Sequence, residues 1–136
     1  VEELRSKVAA LRSRMARIDA ELFDKPLVFP AGLEAYPEFT SNQRQLLNRR
    51  RAALAAELRS MRAMARLQQE ELNLNLPLVQ TGDVARSEII GMQRAIVETQ
   101  GRISSIQTQH VRDLQNEFTS TEEELAAAEQ ALAQRE

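Results

Sequence analysis

The sequence predicts an all-α fold: an elongated antiparallel coiled-coil hairpin of three helices, the first stacked end-on below the second against a long third helix. Three observations lead there. Apolar residues recur at alternating spacings of three and four through most of the chain. The breaks in that pattern coincide with the four prolines, three of them within residues 23–39 and the last at Pro77. The apolar mass, 43% of the 136 residues, is aliphatic, with only 4% aromatic, which suits a packed seam rather than a thick core.

The first helix is expected over residues 1–22, where Val1, Leu4, Val8, Leu11, Met15, Ile18 and Leu22 form a heptad seam with Arg and Glu outside it. It must end before Pro26, because the residue preceding a proline is pushed out of the α region. Residues 23–39 (FDKPLVFPAGLEAYPEF) hold every aromatic but one and read as a non-helical insert. Phe23, Leu27, Val28, Phe29, Tyr36 and Phe39 are too apolar to stay solvated, so the insert should pack at the joint between the first two helices.

A second helix is expected over residues 40–76. Thr40 reads as its N-cap, with Gln43 completing a capping-box pattern. Leu47, Leu54, Leu58, Met61, Ala65 and Leu72 mark the seam, with Arg51 and Gln68 as polar residues in register. Residues 77–84 (PLVQTGDV) form the tip turn, Gly82 supplying backbone freedom and Asp83 an N-cap. The third helix runs over residues 85–136. Ile89, Met92, Ile96, Thr99, Ile103 and Ile106 keep one phase of the heptad; Leu114, Phe118, Thr121, Leu125, Ala128 and Leu132 resume it in another. The slip over residues 107–114 implies local over- or underwinding.

Folding about the turn brings Arg44 near Glu117, and Arg49 near Arg112 and Asp113. Beyond the reach of the second helix, Arg12, Arg14 and Arg17 of the first would face Glu122, Glu123, Glu124 and Glu129. Residues 1–136 thus read as a single helical hairpin domain. The chain opens on Val1 without Met, and its third helix is expected to continue past residue 136, as in a fragment of a longer protein.

Composition removes most chemistry. There is no Cys, so disulfides and thiolate-ligated metals are excluded, and the one His, His110, cannot make a two-imidazole site. No Gly-rich phosphate loop and no nucleophile elbow is present, so the chain reads as non-enzymatic, with no catalytic, cofactor or metal residues. His110 fits a seam flank. Glu122, Glu123 and Glu124 point in different directions on a helix and read as a solvated acidic face. Arg49, Arg50 and Arg51 could touch phosphate but lack stacking aromatics, and the net charge of −2 argues against a nucleic-acid partner. No apolar run approaches the length of a membrane span.

The tip is the one place where apolar residues lack an obvious structural use. Leu76, Pro77, Leu78, Val79 and Val84 either close the hairpin over its own seam or dock on another protein. Leu78 and Val84 flank the turn and are expected to present apolar surface outward.

The insert LFDKPLVFP (22–30), the segment FTSNQRQLLNRRRAAL (39–54) and the turn LVQTGDVARSE (78–88), in this order between heptad helices, resemble the helical domain of the hemolysin D-type membrane fusion proteins. These are the periplasmic adaptors of type I secretion systems, and the resemblance spans essentially the whole chain. It implies a periplasmic protein anchored to the inner membrane by a segment outside this sequence. It further implies several copies, typically six, around the exit path of an inner-membrane ABC transporter, with hairpin tips meeting a TolC-like outer-membrane channel. Secreted protein cargo would pass through the assembly. The implied partner-binding residues are Leu78, Val79, Gly82, Asp83, Val84, Ala85 and Ser87. Adaptors of the wider class carry Arg, Leu and Ser at the tip; with the leucine on Leu78, the other two positions fall on Leu74 and Ala85, so only the leucine is kept. Ser87 lies two residues from the serine position. A coiled-coil spacer or scaffold without a transport role remains the alternative reading.

Overall fold

Helix α1 spans Glu2–Leu22, α2 spans Pro37–Asn75, a short 3-10 helix covers Leu76–Val79, and α3 spans Arg86–Arg135, with no strand. These come from a computed structural model that describes all of residues 1–136. The chain divides into two compact units, one of residues 1–52 with 110–136 and the other of residues 53–109.

In the first unit α1 lies antiparallel to the end of α3. Val8, Leu11 and Ala128 form its buried cluster, with Leu125 and Leu132 packed against it. Ion pairs line both sides: Arg5 to Glu136 at 2.9 Å, Arg12 to Glu129 at 3.0 Å and Arg14 to Glu124 at 3.8 Å. Each joins side chains that are substantially exposed, so together they select a register rather than hold the helices. The expected arginine-to-acid alignment is present, except that Arg17 turns inward and takes Glu117 rather than the 122–124 run.

Burial on α1 extends beyond the heptad seam to Ala9, Ser13, Arg17, Ala20 and Glu21. The last two turns of α1 run beside the beginning of α2. Arg17 donates to Gln43 at 2.7 Å, Arg50 pairs with Glu21 at 2.8 Å, and Arg51 donates to the Ala20 and Lys25 carbonyls at 3.1 and 2.8 Å. The first helix is therefore stacked with an overlap at the joint. Gln43 stands where Arg44 was expected to approach Glu117; Arg44 instead lies over the Phe29 ring, 5.6 Å from its centre.

Helix α1 ends before any proline intervenes. Asp24 takes φ +49°, the Lys25 amide donates to the Ala20 carbonyl at 2.9 Å and the Asp24 amide to Glu21 at 3.4 Å, a Schellman closure made without glycine. The insert then folds back in part. Leu33 is buried, Phe29 and Pro30 line a groove with Met15, Ala16, Phe118 and Leu125, and the Tyr36 and Phe39 rings stack 5.6 Å apart. Phe23 and Val28 depart from expectation: they are 62% and 77% exposed. Phe23 closes the helix at its rim, where the Lys25 ammonium lies over its ring, 5.9 Å from the centre.

Helix α2 begins at Pro37, three residues before the predicted cap at Thr40. A proline stops a helix it interrupts but suits the first helical position, where its missing N–H would find no partner anyway. The Thr40 hydroxyl donates back to the Pro37 carbonyl at 3.1 Å, as a residue inside the first turn does.

The second unit holds the hairpin. Its buried cluster is Leu72, Ile89 and Ile96, with Val79, Val84 and Met92 packed against it. Gln68 and Thr99, the polar seam residues, meet each other: the Thr99 hydroxyl lies 2.7 Å from the Gln68 amide oxygen. A seam layer that is polar on both sides satisfies its hydrogen bonds internally and penalises slipped registers. Down α3 the covered positions run Ile103, Ile106, His110, Leu114, so two consecutive spacings of four replace the alternation. That is the phase slip, and His110 is also where the first unit resumes.

Candidate docking site at the hairpin tip

The α2–α3 turn is built around one carbonyl. Leu78 accepts the Asp83 amide at 3.0 Å, the Val84 amide at 3.2 Å and approaches the Thr81 hydroxyl at 3.0 Å. The Thr81 hydroxyl is also 2.7 Å from the Asp83 carboxylate, and its single proton serves one acceptor at a time. The Gly82 amide donates to the Val79 carbonyl at 3.2 Å. Gly82 takes φ +83°, which an L side chain would strain although nothing lies within 4 Å of its missing Cβ. The tip backbone is thus fixed by its own hydrogen bonds, and its side chains have fixed directions.

Those directions divide the expected tip residues. Val79 and Val84 turn into the cluster with Leu72, Ile89, Met92 and Ile96, so Val84 closes the hairpin and does not face outward. Leu78 is 38% exposed and Leu76, just before it, 45%. One turn below, Leu74 is 75% exposed. The outward apolar surface is therefore Leu74, Leu76 and Leu78, all from the end of α2 and the 3-10 turn. Leu74 was legible only as the residue standing where the wider class has arginine.

Asp83 is not the cap of α3. Its carboxylate faces Thr81, and Ala85 occupies the capping position, its carbonyl receiving the Glu88 amide at 3.0 Å and the Ile89 amide at 3.4 Å. Alanine has no side-chain oxygen for the free amides of the first turn. Ser87 sits in the first turn of α3 and is exposed.

The other candidate residues are engaged elsewhere. Arg50 and Arg51 are held by Glu21 and by the carbonyls that end α1, and Arg49 is exposed. Glu124 pairs with Arg14, and no three of the chain's His, Asp and Glu side chains converge as a metal site would require. No helix is long and apolar enough to cross a membrane.

No protein-family model and no curated protein matches the sequence. Among solved structures, the chain is similar to the soluble domain of LipC, a membrane fusion protein of a type I secretion system. The likeness has a TM-score of 0.71 at 19% identity, covering 98% of this chain and 85% of that one. At that identity it is the fold, an all-α helical hairpin, that the likeness shows.

Proposed function

We propose that this chain is the helical hairpin domain of a type I secretion membrane fusion protein, a periplasmic adaptor anchored to the inner membrane in its full-length form. Its tip docks on a TolC-like outer-membrane channel, its base serves an inner-membrane ABC transporter, and copies of it, six in the full complex, surround the path of the secreted protein. The observation that carries this reading is the near-complete overlap in fold with the soluble domain of such an adaptor. The outward leucines at a self-fixed tip add to it, because exposed apolar side chains on a rigid turn suit a contact with another protein.

The coiled-coil spacer stands as the rival. It draws on Val79 and Val84, which do close the hairpin over its own seam. The two readings separate in a capture experiment with a purified TolC-like channel. The adaptor reading expects channel retained by the chain and lost on Leu78→Asp with helicity intact. Retention by neither protein favours the spacer; equal retention by both keeps the adaptor reading and takes Leu78 out of the contact.

A further inference from the structure

The unit of residues 53–109 keeps apolar side chains in solvent that its seam does not use. On α2 these include Leu67, 63% exposed, and Leu74, which the tip surface shares; on α3 they are Ile90 and Val97, 50% and 66% exposed. Each pair is seven residues apart, which returns a side chain to the same stripe of a heptad helix.

The two stripes lie on opposite flanks of the hairpin. Counting from the buried Leu72 and from Ile89 and Ile96 as first heptad positions, Leu67 and Leu74 fall at the third position and Ile90 and Val97 at the second. In an antiparallel pair the third and seventh positions of both helices share one side of the seam, and the second and fifth share the other. The groove lined by Glu71, Glu88, Gly91 and Ala95 shows this pairing directly, since it gathers the third and seventh positions of α2 and α3 on one flank.

Charge divides along the same line. The flank with Leu67 and Leu74 carries Glu57, Glu71, Glu88 and Glu98, with Arg102 its one cation. The flank with Ile90 and Val97 carries Arg59, Arg62, Arg66 and Arg86 and no acid. All are exposed, and none takes part in any of the chain's ion pairs, which lie in the other unit.

We propose that these flanks are the two halves of one contact between copies of this chain: the acidic Leu67–Leu74 flank of one copy seats on the basic Ile90–Val97 flank of the next. The proposal rests on the self-association in the reading above and names the surfaces that make it. A two-fold dimer would set acid against acid or arginine against arginine, which is repulsive. The head-to-tail contact pairs opposite charges and leaves one unlike flank open at each end, so it propagates into a ring or a filament.

The chain has no cysteine, so introduced thiols report without background. Leu67→Cys and Val97→Cys each replace an exposed residue; the two proteins, one size-tagged, are mixed at the highest soluble concentration with a short bis-maleimide. The mixed adduct should exceed either self-adduct by about ten-fold, because only unlike flanks attract. Raising ionic strength from about 0.05 M to about 0.5 M should cut the mixed adduct several-fold. Self-adducts as abundant as the mixed one would indicate a two-fold dimer, and absence of a mixed adduct from helical proteins would leave the flanks to another partner. Either result overturns the proposal. The cross-link reads the flanks alone, so it survives if the tip captures no channel and fails if the flanks never meet.

Discussion

Arg17 and Glu117, a hundred residues apart, form an ion pair at the joint of α1, α2 and α3. Arg17 is 2% exposed and spreads its guanidinium over three helices, pairing also with Glu21 on α1 and donating to Gln43 on α2. A planar donor with several N–H groups suits such a junction in a way a lysine would not.

Removing that guanidinium should be costly because it leaves Glu21 buried. Arg17→Ala is expected to lower unfolding free energy by about 3 kcal/mol, toward the lower end for a broken buried pair because Arg50 stays on Glu21. The double change Arg17→Met with Glu21→Leu should return to within about 1 kcal/mol of the parent, since it removes the stranded charge and keeps the volume. Denaturant titration of the three proteins checks both. A double variant as unstable as the single one would mean that the guanidinium geometry, rather than the unpaired acid, carries the effect.

Thr121 gives the opposite case. It is 0% exposed, and its hydroxyl has no hydrogen-bond partner. Thr121→Val keeps the shape and removes the buried polar atom, so stability should rise by about 1 kcal/mol. A loss of stability on the same titration would contradict the assignment of that hydroxyl as unsatisfied.

The hairpin seams were legible because their periodicity is written in apolar residues: Leu58, Leu72, Ile89, Ile96 and Leu114 are all buried. The overlap of α1 with α2 was not, because its contacts run through Arg17, Glu21, Gln43 and Arg50, residue types that normally mark the surface. The α2 start was misplaced for a related reason, a proline being read as a breaker where it begins the helix. At the tip the composition announced apolar contact, but which valines point inward depended on the hydrogen bonds of the Leu78 carbonyl, which no spacing rule reveals.

Ala85 at the capping position of α3 leaves room for improvement. Ala85→Ser supplies an oxygen for the free amides of the first turn and should stabilise the hairpin by about 1 kcal/mol. The same change restores the hydroxyl that the resemblance expects at the tip, so channel capture should be kept or strengthened. Hydrogen exchange of the Ser87 amide separates the two effects, because capping slows it whether or not a channel is present. Unchanged exchange and unchanged stability would remove the cap from the account.

The tip offers a sharper discrimination, because adjacent apolar residues there have different neighbours. Leu78 is partly exposed and belongs to no seam layer, so Leu78→Asp should change stability by no more than about 1 kcal/mol. Val84 packs on Leu72, Ile89 and Ile96, and Val84→Asp should loosen the hairpin end by about 2 kcal/mol. Leu58 is 8% exposed in the seam, and Leu58→Asp should unfold the unit outright. If docking uses the outward leucines, secretion of the native cargo by cells carrying the full-length protein should fail for all three, but only Leu78→Asp should fail with normal helicity and normal protein level. Several copies engage one channel together, so even a weak contact per tip is multiplied, and its loss in every copy is multiplied likewise. Normal secretion from the Leu78→Asp strain would take the tip out of the mechanism, because the variant alters the proposed contact and leaves the hairpin that presents it standing.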